Sequence, residues 1–336
     1  MMPVDVCDKS SAAAVTHRVC VAPMMDYTDR HFRYFIRLMS RYTRLYTEML
    51  TTGALLHGNP QRHLEFNPGE HPLALQVGGS NPQELARCAR LAADFNYDEI
   101  NLNVGCPSER VQSGRFGACL MMEPQLVAEC VAAMSAASKV LVTVKTRIGV
   151  DQHDSYEQLA AFVKTIEVVG CRIFIIHARK AWLQGLSPRQ NREVPPLRYD
   201  IAARLKDDFP ELIIVANGGI QTLAAMRSHL LAFDGVMIGR EACSNPYLFA
   251  SVDQHLFNTQ SSVPTREQLL DAYIPYVQTQ LQEGVPLQRM TRHLLGLFQG
   301  CPGARQWRRY LSEQATRSGV GIEVLRDAAQ VMRVVA

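Results

Sequence analysis

The chain has 336 residues, 47% of them hydrophobic and 20% charged, with a formal charge of +3. That length admits one large domain, or one plus a smaller partner, and the composition is that of an ordinary globular chain. No apolar run approaches the ~20 residues that cross a bilayer, and residues 1–18, with Asp5 and Asp8, make a poor signal peptide, so a short disordered tail and a cytoplasmic location are expected.

The first strand signal is Val19-Cys-Val-Ala-Pro23, followed by an amphipathic helix from Asp29 to Met39. Leu45 to Leu50 reads as a second strand and Leu73 to Gly78 as a third. Asn81-Pro82, a cap followed by proline in the first turn, starts a helix to about Phe95. Glu99 to Cys106 is the fourth strand, and Pro124 to Ser138 a helix. Val140 to Arg147 is the fifth strand, with a helix from about Ser155 to Val169. Arg172 to Arg179 is the sixth, with a helix from Pro195 to Phe209. Leu212 to Gly219 is the seventh, followed by a short helix from Thr222 to Leu230. Gly235 to Arg240 is the eighth. Eight strands rich in Val, Ile and Leu, alternating with helices, predict a (β/α)8 TIM barrel over residues 19–258. Beyond the linker Ser261-Ser-Val-Pro264 the strand signal is absent, and residues 259–336 predict an all-helical C-terminal domain broken at Gly284-Val-Pro286 and Gly300-Cys-Pro-Gly303.

Nine cysteines, an odd number, include no C-x-x-C pair, and Cys88, Cys130 and Cys171 lie in apolar segments. This predicts buried reduced thiols, with no disulfide framework and no zinc, iron–sulfur or other metal site. The charge is unevenly placed: from Asn258 onward there are nine arginines, no lysine and six carboxylates, which accounts for the whole positive excess. Five of those arginines fall between Arg289 and Arg309 without an intervening carboxylate, a pattern shared by polyanion-binding surfaces and by solvated helix faces.

Polar side chains interrupt the strands at their carboxyl ends only. They are Gln76, Asn101, Asn103 and Cys106, Lys145 and Arg147, His177 and Arg179, Asn217-Gly218-Gly219 and Gly239-Arg240. Buried without partners, each would cost roughly 1–3 kcal/mol, so a polar ligand or water is implied at the mouth. The glycines after strands seven and eight suit close backbone approach to a phosphate, and Arg240 adds a guanidinium. Lys145 and His177, on neighbouring strands, suit the N1–O2 edge of a flavin, and no G-x-G-x-x-G stands at a strand–helix turn to indicate a Rossmann nicotinamide site. Cys106, on a proline-stiffened turn, could serve as nucleophile, acid or inert thiol. An unperturbed thiol, with a pKa of about 8.5, is mostly protonated at neutral pH, a state that suits proton donation. The loop Ser108 to Ala118, with Gly114 and Gly117, could close over a substrate.

Val21-Ala-Pro-Met-Met-Asp26, Gln76-Val-Gly-Gly79, Asn101-Leu-Asn-Val-Gly-Cys-Pro107, Val144-Lys-Thr-Arg147, His177-Ala-Arg179, Asn217-Gly-Gly-Ile220 and Met237-Ile-Gly-Arg240 together resemble the tRNA-dihydrouridine synthases. His293-Leu-Leu-Gly-Leu-Phe-Gln-Gly with Trp307-Arg-Arg-Tyr310 resembles the A-type bacterial branch. The resemblance implies a flavin mononucleotide (FMN) enzyme, reduced by NADPH, that saturates the C5–C6 bond of D-loop uridines, expected at tRNA positions 20 and 20a. It implies FMN contacts at Pro23, Met24, Met25, Gln76, Lys145, His177, Asn217, Gly218, Gly219, Gly239 and Arg240. Cys106 becomes the proton donor to C5, and Asn103 the neighbour of the substrate uracil. Among arginines, Arg147, Arg179, Arg189, Arg192, Arg305 and Arg308 are the expected RNA contacts. Tyr310 is available for base stacking, and Trp307 for stacking or as a core anchor. A monomer is the default. Two other functions fit parts of the pattern: a flavin barrel acting on a free pyrimidine, which leaves the basic helical tail unexplained, and a non-catalytic RNA-binding protein, which would take up no flavin.

Overall fold

Alternation within the strands explains how one sheet buries both faces. In Glu99–Val104 the residues Ile100, Leu102 and Val104 join the apolar layer under the helices, while Glu99, Asn101 and Asn103 belong to the opposite face. The computed structural model describes residues 16–335. Its parallel strands are Val19–Val21 (β1), Leu45–Tyr46 (β2), Leu50–Thr51 (β3), Leu73–Gly78 (β4), Glu99–Val104 (β5), Leu141–Arg147 (β6), Ile173–His177 (β7), Ile213–Asn217 (β8) and Gly235–Ile238 (β9). They run in the order β1-β9-β8-β7-β6-β5-β4-β2, with β3 also on β4. The barrel closes at Arg44, whose backbone bonds Val19 and Val21 at 2.9 Å each.

The longer helices between strands are Arg30–Met39 (α1), Pro82–Asp94 (α2), Pro124–Ala137 (α3), Tyr156–Val168 (α4), Tyr199–Asp208 (α5) and Leu223–His229 (α6). The cap expected at Asn81 forms, its side chain accepting from Glu84 N, and Ser155 with Gln158 makes a capping box for α4. The C-terminal region carries Arg266–Gln282 (α7), Ala304–Gln314 (α8) and Glu323–Val335 (α9), with short turns between α7 and α8. It packs on α1: Tyr276 stacks on Tyr34 at 3.9 Å between ring centroids, buried Tyr273 meets Phe35, and His31 Nδ1 lies 2.7 Å from the Tyr276 hydroxyl. Among the described residues no helix is long and apolar enough to cross a membrane.

Four expectations need correction. The second strand is two short pieces: Thr47 still hydrogen-bonds β4 but residues 47–49 are not strand, so β2 and β3 together fill one barrel position. The 108–118 stretch is partly helical, with Glu109–Ser113 and a 3-10 turn from Gly117. The helix expected from Pro195 begins at Tyr199, past the Pro195–Pro196 pair. The tail expected over 1–18 falls largely outside the described residues, but His17 is wholly buried against Glu99, so the barrel takes in residues ahead of Val19.

Candidate active site at the barrel mouth

A column of polar side chains rises through one half of the barrel. At the floor, buried Glu99 lies 2.8 Å from His17 Nε2 and 3.1 Å from Arg44 Nη1, and accepts from the Tyr46 hydroxyl at 2.8 Å. Burial alone would raise the Glu99 pKa, but His17, Arg44 and the Thr143 hydroxyl hold it down at about 2. Above it, Asn101 Nδ2 donates to Thr143 at 2.7 Å, Gln76 Nε2 to Asn101 at 2.7 Å, and Asn103 Nδ2 to Gln76 at 2.9 Å. Asn103 Oδ1 then accepts from the backbone N–H of Gly105 and Cys106 at 3.1 and 3.0 Å. The other half of the interior is apolar, from Ile173, Ile175, Ile213, Val215 and Met237. Each amide has protein partners, so none of these three is an orphan awaiting a ligand.

Cys106 caps this column. It is half-buried, its thiol 3.5 Å from the Ser108 hydroxyl, with Lys145, Arg147 and Arg192 all within electrostatic range. Its carbonyl accepts from Ala118 N at 2.9 Å, and Gly117, at φ +76°, lies so close that a Cβ there would stand 2.5 Å from that oxygen. Phe116 fits between Gly78 and Gly114, where added Cβ atoms would come within 2.6 and 2.4 Å of its ring.

The register of β6 to β9 places Arg147, His177, Asn217 and Met237 in one row, with Lys145 one layer below. Lys145 Nζ donates to Asn217 Oδ1 at 3.2 Å, and Asn217 Nδ2 to the Met237 carbonyl at 2.7 Å. Burial and the Arg147 charge push the Lys145 amine down to about 7. The same two influences, with Lys145 added, drive His177 well below the usual histidine range, so its imidazole is neutral. Gly218 is at φ +123° with its Cα against the His177 ring, where a Cβ would sit 2.8 Å from Cδ2. Gly219 is left-handed at φ +71°, and Gly239 has open space in front of it. Arg240, largely exposed, is paired with Glu193, which also attracts Arg189 at 3.6 Å. Met24 packs on the barrel's inner apolar cluster behind Pro23, while Met25 is 55% exposed at the rim beside exposed Tyr27.

The six expected RNA arginines separate. Arg189, Arg192 and Arg305 are exposed, and Arg308 is half-buried beside Gln299. Arg179 is half-buried and donates to the Glu193 and Pro195 carbonyls, while its Nε is buried with no hydrogen-bond partner. Arg147 is displaced from this group, because its guanidinium is buried and donates to three backbone carbonyls. Trp307 is a core anchor, wholly buried with Nε1 on the Leu294 carbonyl at 2.8 Å. Sequence reasoning did not single out Tyr27, exposed at the rim, Gln112 and Asn191, which bond the segments around Cys106 and Arg147, Trp182, or Glu193, the partner of Arg240. Trp182 alone carried a composition signal, as a lone tryptophan in a polar loop; Lys180 now covers its ring at 4.1 Å.

A closed parallel barrel that gathers a thiol turn, neutral imidazole, a lysine poised near neutrality and paired glycines at its carboxyl end has the layout of a (β/α)8-barrel enzyme. The chain belongs to the dihydrouridine synthase (Dus) family, whose model matches residues 20–333. It is 61% identical over 310 residues to the tRNA-dihydrouridine(20/20a) synthase of Shewanella oneidensis, covering 92% of each chain. It is 55% identical over 313 residues to the protein of that name from Synechocystis, covering 93% of this chain and 94% of the other. With the Pseudomonas aeruginosa protein of the same name it shares 55% over 323 residues, 96% of this chain and 97% of that one.

Proposed function

We propose that this protein reduces the C5–C6 bond of tRNA uridines at D-loop positions 20 and 20a to 5,6-dihydrouridine. The observation that carries the reading is the thiol of Cys106, held at the mouth of a closed barrel next to the strand of Lys145, with His177 and the Gly218–Gly219 turn on the strands that follow, in a chain of this family.

The residues present fit flavin mononucleotide. Gly218 and Gly219 hold conformations that side-chain-bearing residues rarely adopt, and open Gly239 leaves room for a phosphate next to Arg240. Lys145 and His177 would hold the electron-rich edge of the ring, with Pro23, Met24 and Met25 beside it and Gln76 and Asn217 as hydrogen-bonding neighbours. When bound and reduced by NADPH, the flavin supplies the hydride delivered to uracil C6. Cys106 Sγ holds the proton that goes to C5, and the resulting thiolate is reprotonated from solvent. Lys145, with a pKa of about 7, takes up a proton readily when negative charge develops beside it. Asn103 places the thiol through its grip on the Cys106 N–H and faces the base. Extruding a stacked uridine costs a few kcal/mol, which RNA backbone contacts from Arg179, Arg189, Arg192, Arg305 and Arg308 offset. The protein works in the cytoplasm as a monomer.

The test is to map dihydrouridine in tRNA from a strain lacking this protein and to record the absorption spectrum of the purified protein. Loss at 20 and 20a together with a flavin spectrum is expected. A colourless protein that takes up no flavin would favour a non-catalytic RNA binder. Intact tRNA modification with turnover on free pyrimidine would favour the small-molecule dehydrogenase.

A further inference from the structure

We propose that Arg147 and Gln112 are positioning residues that clamp the Cys106 turn to the loop after β7, and that Arg147 serves the reaction through this clamp and not through RNA contact. The proposal rests on Cys106 being the proton donor.

Arg147 ends β6 and is 3% exposed. Its Nε donates to the Gly105 carbonyl at 2.9 Å, and its Nη1 to the carbonyls of Lys180 and Asn191 at 3.0 Å each. Gly105 immediately precedes the thiol. On the other side, Gln112 Nε2 donates to the carbonyl of Pro107, which immediately follows the thiol, at 2.8 Å, and to that of Leu183 at 2.7 Å. Two side chains from different elements therefore join the same pair of segments, one on each flank of Cys106.

The loop they hold is itself tied by internal hydrogen bonds. Asn191 is wholly buried, accepts from Trp182 N at 2.7 Å, and donates to the carbonyls of Trp182 and Leu186 at 2.8 and 3.1 Å. The clamp thus fixes the thiol to a loop whose exposed rim carries Arg189 and Arg192. A guanidinium suits this bridge because its several donors lie in a fixed plane, whereas lysine offers a single nitrogen. Misplacing a reacting group by about 1 Å can cost as much as 100-fold in rate.

The test compares Arg147→Lys, Gln112→Ala and the double variant, each as the flavin-loaded full chain. Four quantities are read: NADPH-driven flavin reduction, tRNA dissociation constant, single-turnover dihydrouridine formation at saturating tRNA, and the rate of Cys106 alkylation by iodoacetamide. Both single variants are expected to keep flavin reduction and tRNA affinity within about twofold, slow the single-turnover step by roughly 10- to 100-fold and alkylate faster. The double variant should fall well short of the product of the two single effects, because both act on one turn. Arg147→Lys that weakens tRNA binding with an unchanged single-turnover step would overturn the clamp in favour of direct RNA contact. Wild-type rates and alkylation in both variants would overturn it outright. Gln112 is half-buried and keeps the test alive if the buried substitution prevents folding. Alkylation needs no flavin, so the clamp is scored even if the flavin assignment fails.

Discussion

Cys106→Ala should separate the two half-reactions: flavin binding and NADPH oxidation persist while dihydrouridine formation is largely lost, read by flavin absorbance and nucleoside analysis. Lys145 gives a pH-dependent companion. Its amine has a pKa of about 7, lowered by burial and then by Arg147; with the proposed flavin bound, negative charge on the reduced ring would raise that value. Below pH 7 the amine is already charged. Above it, reduction must draw a proton onto Nζ, so the flavin potential should fall more steeply with pH. Lys145→Met should lower the potential and remove that added slope in a spectroelectrochemical titration. Arg240→Ala should weaken flavin binding measured by fluorescence quenching, and an unchanged dissociation constant would count against phosphate recognition there. Asn101, Asn103 and Lys145 were legible as polar breaks in apolar strands, but Glu99, buried at the amino end of its strand where only apolar residues were expected, and Thr143 were not, and neither was the hydrogen-bond order. The partners His17, Arg44 and Tyr46 come from segments remote in sequence, and an amide's pairing depends on register that composition does not encode.

At the scale of elements, strand positions were readable because aliphatic alternation is strong, and helix starts because Asn81 and Ser155 cap as their side chains dictate. Where tertiary packing overrides local pattern, the sequence misleads. Leu45 to Leu50 alternates well enough for one strand, but Thr47 turns its hydroxyl to Gln76 N and breaks the run. The 108–118 stretch looked free to move because glycines at 114 and 117 suggested slack. Instead those glycines admit Phe116 and the Cys106 carbonyl at close range. Gly78→Ala should therefore act on a distant-looking target: its methyl would meet the Phe116 ring 2.6 Å away. Overpacking of this kind costs about 1–3 kcal/mol, expected as a lower denaturation midpoint together with faster Cys106 alkylation. An unchanged midpoint and alkylation rate would show that the ring yields freely.

For the whole molecule, the C-terminal helices act as part of the barrel's support as well as a basic surface. Removing them near residue 260 would uncover Tyr34, Phe35 and His31, so loss of turnover on truncation has a folding cause as well as an RNA cause. Charge reversal at Arg305 and Arg308 is cleaner, since Arg305 is exposed and Arg308 only half-buried. The pair should weaken tRNA binding and make log Kd less steep against log salt, with flavin reduction unchanged. Asp29 ties the two regions together, capping α1 and lying 2.9 Å from His293 Nε2. Burial raises its pKa, but the neighbouring His293 imidazole and the Phe32 N–H bring it down to about 2. Its folded value lies below the ordinary 3.8, so its stabilisation is present above about pH 4 and is lost as pH falls towards 2. Asp29→Asn should flatten that limb of the stability profile. The central claim, a thiol and a reduced flavin acting together on an extruded uridine, is tested most directly by a single turnover. Enzyme is reduced anaerobically, NADPH is removed, and tRNA lacking dihydrouridine is added. The account predicts flavin reoxidation matched one for one by dihydrouridine at positions 20 and 20a in the wild type, and almost none with Cys106→Ala. Equal yields from the two proteins, or reoxidation without dihydrouridine, would contradict it.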